Sequence, residues 1–349
     1  MSVHEDRLAR LQALLAERGF LGLVVTDLLN VRYLTGFTGS NAMMLVPVRG
    51  EPTFLTDGRY QDQAREQVWI ERHIITRDFS GEVEKLGTDS WAVETHALSV
   101  DEWRTMGERP SAGKLIEELR LIKDEVEITG LTQACEISAR ALERLWTEPL
   151  LGRTERDIAL RLEIIMRELG ADDRAFDTIV AVGPNSAIPH HDPTLRAVED
   201  GDFLKIDFGA LVEGYRADCT RTVVVGRAAE WQREIHAAVR EAQAAGVAAL
   251  IPGTPLAEID ALVRENLAES GWLDAFTTGL GHGVGLLIHE DPFFAASAVG
   301  RIERRMVLTM EPGIYLAGRG GVRIEDTVLV EQTGPVVLTN LTTELMEIS

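Results

Sequence analysis

The pattern of apolar and polar residues divides the chain into two regions. In residues 1 to about 122, amphipathic helical stretches such as LARLQALLAERG alternate with short apolar runs such as LGLVVT and AMMLVPV. The helical stretch ends in glycine, and the apolar runs have the length of buried strands. This alternation predicts an α/β domain.

A long amphipathic helix opens the second region. One helical face carries Ile128, Leu131, Cys135, Leu142 and Trp146. Further helices are predicted over 154–170, where Thr154 and Asp157 form a capping box, over 228–251, and from an N-cap at Thr254 followed by Pro255. Strands are predicted over 176–182, 203–225, 306–310, 314–316 and 322–330. We expect domains over 1–122 and 123–349.

Two aspartates in the hairpin IDFGALVEGYRADCTRT (206–222) need an explanation, because aspartate is depleted in strands. A two-residue turn at Val212-Glu213 would place Asp207 directly opposite Asp218, and a turn at Glu213-Gly214 would make the pair diagonal. In both cases the two side chains share a face. Like charges that close are costly unless one is protonated or a cation lies between them.

Composition narrows the class of protein. The 349 residues carry 35 basic and 56 acidic side chains, a net charge of −21, which argues against nucleic acid or an anionic membrane as partner. No apolar run has the length of a membrane span, and the amino terminus lacks a signal-peptide core. The two cysteines suit neither a disulfide framework nor a metal motif. We expect a cytoplasmic protein.

Three further motifs carry residues suited to metal binding. The stretch GLGHGVGLLIHEDP puts His282 among glycines, LTMEPGIY ends a strand with Glu311, and GVRIEDTVLV puts Arg323 and Glu325 on one strand face. Taken singly, His282 could be a structural histidine, and Arg323 and Glu325 an internal ion pair. Together with Asp207 and Asp218, they make four carboxylates and one imidazole. Two divalent ions would balance the charge, and this donor set suits Mn²⁺, Co²⁺ or Zn²⁺.

These residues resemble the M24 metallopeptidases of the pita-bread fold, which include methionine aminopeptidase, aminopeptidase P and prolidase. The order Asp, Asp, His, Glu, Glu matches the five metal ligands of that family, and NVRYLTGFTGSNA and LTDGRYQDQA resemble a creatinase/prolidase N-terminal domain. The resemblance implies an α/β N-terminal domain followed by an α+β pita-bread catalytic domain, and two divalent ions, with Mn²⁺ the first expectation.

The resemblance also implies roles for individual residues. It makes Asp207, Asp218, His282, Glu311 and Glu325 the metal ligands, with Asp218 and Glu325 bridging both ions. It makes His190, in NSAIPHH, and His289 the substrate-side histidines, Glu311 the proton shuttle, and Arg323 the residue that orients Glu325. His191 is expected to be structural.

The large N-terminal domain resembles the branch of the family that cleaves Xaa-Pro bonds. We expect a Xaa-Pro aminopeptidase acting on peptides with proline second, because the compact N-terminal domain leaves little to close the cleft, and we keep prolidase, a Xaa-Pro dipeptidase, as the alternative. A metal-free creatinase-like hydrolase and a non-catalytic peptide-binding relative are also possible, although both would lack intact ligands. A calcium-stabilised binding protein is a further alternative. A homodimer is expected from the family.

Overall fold

The computed structural model describes residues 2–87 and 90–349, so Met1, Thr88 and Asp89 of the predicted first domain lie outside the described residues. The chain divides into two compact units, one up to Arg120 and one from Leu121 onward. The boundary predicted from the sequence lies two residues further along. Ile122 packs against the hydrophobic core of the second unit, which accounts for the earlier division.

The first unit, the N-terminal unit, contains a mixed five-stranded sheet in the order β4-β3-β2-β1-β5. Its strands are β1 (Gly22–Val25), β2 (Ala42–Pro47), β3 (Thr53–Thr56), β4 (His73–Ile75) and β5 (Trp91–Val93). Its helices are α1 (Val3–Arg18), α2 (Leu28–Thr35), α3 (Gln61–Gln67), α4 (Phe79–Glu84), α5 (Val100–Thr105) and α6 (Leu115–Arg120). Apolar residues from four of the strands, including Val24, Leu45, Leu55 and Val93, share a buried cluster.

The second unit has four long helices. They are α7 (Glu125–Trp146), α8 (Glu155–Glu168), α9 (Glu230–Ala248) and α10 (Leu256–Glu269). Thr154 caps α8 in a reciprocal box with Asp157, as predicted. Helix α10 differs from the prediction, since Pro255 and not Thr254 occupies the N-cap position. The Thr254 carbonyl accepts a hydrogen bond of 2.8 Å from the Ile302 amide, which ties Thr254 to the neighbouring chain before the helix begins.

Small sheets accompany these helices, and their strands pair antiparallel except for β19, which runs parallel to β11. The strands are β6 (Asp173–Arg174), β7 (Ile179–Val182), β8 (Phe203–Phe208), β9 (Ala210–Val212), β10 (Tyr215–Arg216), β11 (Cys219–Val225), β12 (His282–Gly283), β13 (Glu290–Phe293), β14 (Val307–Met310), β15 (Gly313–Leu316), β16 (Gly320–Arg323), β17 (Asp326–Glu331), β18 (Gly334–Val337) and β19 (Glu347–Ile348). The larger sheets have the orders β19-β11-β8-β7 and β13-β12-β14-β17-β18. Buried residues of α9 and α10, such as Val239 and Val263, share one core with Leu308 and Val328.

The hairpin adopts the later of the two predicted turns. Val212 pairs with Tyr215, so Glu213 and Gly214 form the turn, and both have positive φ. Thr220 therefore stands opposite Asp207, and Asp218, two residues earlier, is the diagonal neighbour on the same face. The register confirms that both aspartates share a face, and it adds Thr220 between them.

None of the helices in the described part of the chain combines the length and the apolar character that crossing a bilayer requires.

Candidate metal centre

A cavity of about 510 Å³ in the second unit gathers every site residue predicted from the sequence. Its lining includes His190, Asp207, Asp218, His282, His289, Glu311, Arg323 and Glu325. Phe176, Ile179, Ile288, Phe293 and Phe294 form the apolar part of its wall. A cavity with an apolar wall and a few convergent polar groups has the usual character of a small-molecule site.

Strand pairing brings these distant segments together. Asp207 lies in β8, and Asp218 directly precedes β11, the strand that pairs with β8. An isolated antiparallel bridge joins Thr220 to Glu325, which attaches the β16–β17 segment to the same hairpin. On the other side, β12 carries His282 and pairs with β14. Glu311 follows directly after β14.

Asp218, His282 and Glu325 form the tightest group, with one ligand atom from each lying within 4.8 Å of the others. The His282 Nε2 atom is 3.6 Å from Asp218 Oδ2 and 3.4 Å from Glu311 Oε1. His282 Nδ1 lies 2.9 Å from the Gly283 carbonyl oxygen, so this contact assigns the ring proton to Nδ1. The Nε2 lone pair then faces carboxylate oxygens, an arrangement that a cation between them would make favourable.

Burial and mutual repulsion disfavour the ionised carboxylates. Burial raises the pKa of Glu325 well above its usual range, and the charges of Asp218 and Glu311 raise it further. The pKa of Asp218 is raised for the same reasons, by burial first and then by Asp207 and Glu311. Burial raises the pKa of Glu311 to about 7, with Arg323 opposing and Asp207 adding to the rise. Burial also lowers the pKa of His282 to about 4 and so keeps its imidazole neutral at pH 7.

Unpaired oxygens supply an independent sign that a cation belongs here. Asp207 Oδ1 and Glu325 Oε1 are buried and have no hydrogen-bond partner among the described residues. A buried acceptor without a partner costs free energy, and a bound cation would remove that cost. Four carboxylates with one neutral imidazole are ligands that Mn²⁺, Co²⁺ and Zn²⁺ accept, so the residues fit two divalent ions.

Arg323 contacts Asp207 rather than Glu325. Its Nη2 donates to Asp207 Oδ2 at 2.5 Å, and its Nε donates to Thr220 Oγ1 at 3.0 Å. Thr220 Oγ1 in turn donates to Glu325 Oε2 at 2.7 Å. The predicted link from Arg323 to Glu325 therefore runs through Thr220, and the described residues show no direct ion pair between the two.

The two remaining histidines line the same cavity. His190 is exposed, and His289 packs edge-to-face on His282 with ring centroids 4.5 Å apart. Burial lowers the pKa of His289, and the neighbouring His190 lowers it further. A neutral imidazole keeps one N–H, so His289 can donate a hydrogen bond into the cavity. His191 points away from this group, and its Nε2 lies 2.8 Å from Glu155 Oε2.

Comparison with known proteins assigns both units to families. Residues 129–332, more than half of the chain, match the model of metallopeptidase family M24. This chain belongs to metallopeptidase family M24. Residues 7–122 match the creatinase/prolidase N-terminal domain. The resemblance and the fold class predicted from the sequence are thereby confirmed.

The M24 relatives include proteins with two named activities. A Xaa-Pro dipeptidase of Pyrococcus furiosus is 35% identical, over 98% of this chain and 100% of that protein. The structure of a Xaa-Pro dipeptidase from Bacillus anthracis has a TM-score of 0.94 and 35% identity, covering 99% of this chain and 100% of that one. An X-Pro aminopeptidase from Thermotoga maritima has a TM-score of 0.89 and 34% identity, covering 98% and 99%.

Membership of M24 makes this protein a metal-dependent peptidase and implies divalent ions, with which the buried Asp218–His282–Glu325 group is consistent.

Sequence reasoning missed the polar residues behind the cavity. Thr220 stands two residues after Asp218, and that spacing in a strand was the available signal. Lys205, two residues before Asp207 in β8, carried the same signal, whereas Glu155, at the start of α8, carried none.

Proposed function

We propose that this M24 protein hydrolyses the Xaa-Pro bond of dipeptides and uses two divalent ions, with Mn²⁺ the first candidate. The main support for the site is that the five proposed ligand groups line one cavity, in which two buried carboxylate oxygens lack a hydrogen-bond partner among the described residues. The support for the substrate comes from the named relatives, among which Xaa-Pro dipeptidases match this chain end to end.

The relatives favour the alternative over the aminopeptidase expected from the sequence. That expectation depended on the compact N-terminal domain. The dipeptidase of Pyrococcus furiosus matches 98% of this chain with 100% of its own length, so a domain of this size is compatible with dipeptidase activity. The size of the N-terminal unit therefore does not distinguish the two substrates.

Asp207, Asp218, His282, Glu311 and Glu325 would hold the ions. When bound, the two ions would lower the pKa of a water molecule so that it attacks the scissile carbonyl near neutral pH. Glu311, which lines the cavity 3.4 Å from His282 Nε2, would take up and release a proton at its carboxylate during the reaction.

The other cavity residues act on the substrate or on the ligands. His190 and His289 donate hydrogen bonds to the oxygen of the scissile carbonyl, where negative charge develops. Arg323 holds Asp207 and, through Thr220, Glu325, so that both carboxylates keep their orientation. The apolar wall formed by Phe176, Ile179 and Phe293 excludes water and suits a proline ring. The cytoplasmic location and the homodimer remain predictions.

The test compares peptides that differ only in length and in the second residue. The Mn²⁺-loaded protein is assayed with an Xaa-Pro dipeptide, the Xaa-Pro-Xaa tripeptide and a matched Xaa-Ala dipeptide. We expect kcat/KM for the Xaa-Pro dipeptide to exceed both others by about tenfold or more, a difference of roughly 1.4 kcal/mol in transition-state binding. A preference for the tripeptide would favour the aminopeptidase, and equal cleavage of Xaa-Ala would refute proline specificity.

A further inference from the structure

His190 reaches the cavity from residues 182–194, which we call the cavity loop. Apart from the end of β7 and a short 3-10 helix at Gly183–Ala187, this loop has no regular secondary structure. The His190 ring is exposed at the cavity. Its position therefore depends on what fixes the backbone of the loop.

A buried carboxylate binds one side of the cavity loop. Glu155 is fully buried, and its Oε1 accepts hydrogen bonds from the Val182 amide at 2.8 Å and from Asn185 Nδ2 at 2.9 Å. Its Oε2 accepts from the amide and hydroxyl of Thr194 at 2.8 and 2.5 Å and lies 2.8 Å from His191 Nε2. One side chain thus contacts both ends of the loop and the residue next to His190.

A buried lysine side chain binds the other side. Lys205 is fully buried in β8, and its Nζ lies 3.0 Å from the Ser186 carbonyl oxygen, 2.7 Å from that of Ile188 and 3.4 Å from that of Pro189. Arg323 Nη1 donates to the same Pro189 carbonyl at 3.2 Å. Three of the four carbonyl groups of residues 186–189, which precede His190, therefore accept hydrogen bonds from Lys205 or Arg323.

We propose that Lys205 and Glu155 are positioning residues that fix the cavity loop and, through it, His190. The catalytic part of this inference rests on the proposed function. Burying two ionisable side chains away from water is expensive, and neither lines the cavity. Together they satisfy eight polar groups of a loop that has little regular hydrogen bonding of its own. These hydrogen bonds offset the free-energy cost of burying the two side chains.

A double-mutant cycle tests the catalytic part. Lys205→Met replaces the terminal amino group with an apolar group of similar length. In the Mn²⁺-loaded protein acting on an Xaa-Pro dipeptide, we expect kcat to fall roughly 10- to 100-fold with little change in KM, because a small displacement of a catalytic group has effects of that order. Metal content, measured by elemental analysis, should stay at the wild-type value. Lys205→Gln, which keeps two N–H donors, should restore part of kcat.

Introducing Lys205→Met into variants that already lack one cavity histidine tests whether Lys205 acts through His190. In His190→Ala, adding Lys205→Met should cost less than about threefold, since the group it positions is already gone. In His289→Ala, the matched control, Lys205→Met should cost its full factor. The same factor in both backgrounds, an unchanged kcat, or a loss of metal in Lys205→Met would each overturn the assignment.

Amide hydrogen exchange tests the loop without any substrate. Lys205→Met and Glu155→Gln should each accelerate exchange in the peptide covering residues 182–194 by about tenfold or more, while exchange in α9 stays unchanged. Unchanged exchange in the loop would refute the inference. If the wild-type protein cleaved no Xaa-Pro peptide but exchange in the loop were still faster in the variants, the positioning role would stand. That result would refute only the proposed function.

Discussion

Two clusters in this chain have the same chemical composition and opposite character. Each cluster consists of two carboxylates and a histidine whose ligand atoms lie within 4.8 Å of one another. The cluster in the N-terminal unit contains Asp27, His96 and Glu117, and the cluster in the second unit contains Asp218, His282 and Glu325. In the first cluster the His96 side chain is 28% exposed, whereas in the second the His282 side chain is 7% exposed. The residue types alone do not distinguish them.

Hydrogen bonding separates the two clusters. His96 Nε2 lies 2.9 Å from Glu117 Oε1, and Asn30 Nδ2 donates to the same oxygen at 2.9 Å. Asp27 is already the N-cap of α2 and accepts from the Leu29 amide. One buried oxygen, Glu117 Oε2, lacks a partner among the described residues, but the histidine and its carboxylate already satisfy each other.

In the second unit, the described residues show no comparable hydrogen bond between His282 and a carboxylate. His282 Nε2 stays 3.4 Å or more from the carboxylates of Glu311 and Asp218, and its proton lies on the other ring nitrogen. The carboxylates are left facing one another, and their pKa values rise accordingly. A buried cluster whose members cannot satisfy one another needs an ion, whereas a half-exposed cluster linked by its own histidine does not.

Removal of a metal ligand should have the largest effect, and it should distinguish the two clusters by metal content and activity. Replacing Glu325 or Asp218 with alanine should abolish metal binding and lower kcat/KM by more than about 100-fold, since loss of residues that merely support ligands costs 10- to 100-fold. Elemental analysis and the Xaa-Pro assay measure both effects. The matched variant Glu117→Ala should retain full metal content and activity. If Glu325→Ala kept its ions and turnover, the proposed ligand set would be wrong.

A smaller effect should follow from removing the hydroxyl that links Arg323 to Glu325. Thr220→Val keeps the size and branching of the side chain but loses the hydrogen bonds to both residues. We expect metal affinity or kcat to fall about 10-fold. Thr222→Val in the same strand is the control, because Thr222 Oγ1 bonds only to the backbone of Arg323. Equal losses in the two variants would contradict a specific role for Thr220.

The smallest effect concerns stability and pH. Burial raises the pKa of Glu311 and, in the N-terminal unit, of Glu94 to about 7. Each folded-state pKa lies above the ordinary glutamate value, so the stabilising contribution is complete below about pH 4.3 and is lost as pH rises through 7. In the metal-free protein, the melting temperature should therefore fall more between pH 6.5 and 8.5 in the wild type than in Glu94→Gln. This comparison cancels the opposite effects of His282 and Lys205, whose pKa values burial lowers to about 4 and to about 6.

Manganese distinguishes the two contributions. Bound cations favour the ionised form of Glu311, so Mn²⁺ should reduce the fall in melting temperature with pH. Glu94→Gln should reduce it by a similar amount whether or not Mn²⁺ is present, because Glu94 accepts its hydrogen bonds from Thr26, Asp27 and Asn30. A pH dependence that Mn²⁺ leaves unchanged would show that the ions bind away from Glu311.

Much of the site was predictable because strands impose strict geometry. Alternation along a strand decides which residues share a face, so Asp207 and Asp218 could be paired before their register was known. The spacing between motifs then identified the family. The start of α10 and the partner of Arg323 were harder, since both depend on contacts with distant segments: Ile302 in one case and Asp207 in the other.

By itself, the sequence determined the two-region architecture and the need for positive charge among its strand carboxylates, because periodicity and residue chemistry are local properties. Its resemblance to a known family indicated which charged and histidine residues line the cavity. Only the tertiary structure decided that Arg323 pairs with Asp207 and that Thr220 connects it to Glu325. It also decided that Lys205 and Glu155 lie buried against the loop of His190. These pairings depend on which chain segments pack together, and a polar side chain gives no local sign of the distant partner that burial will bring to it.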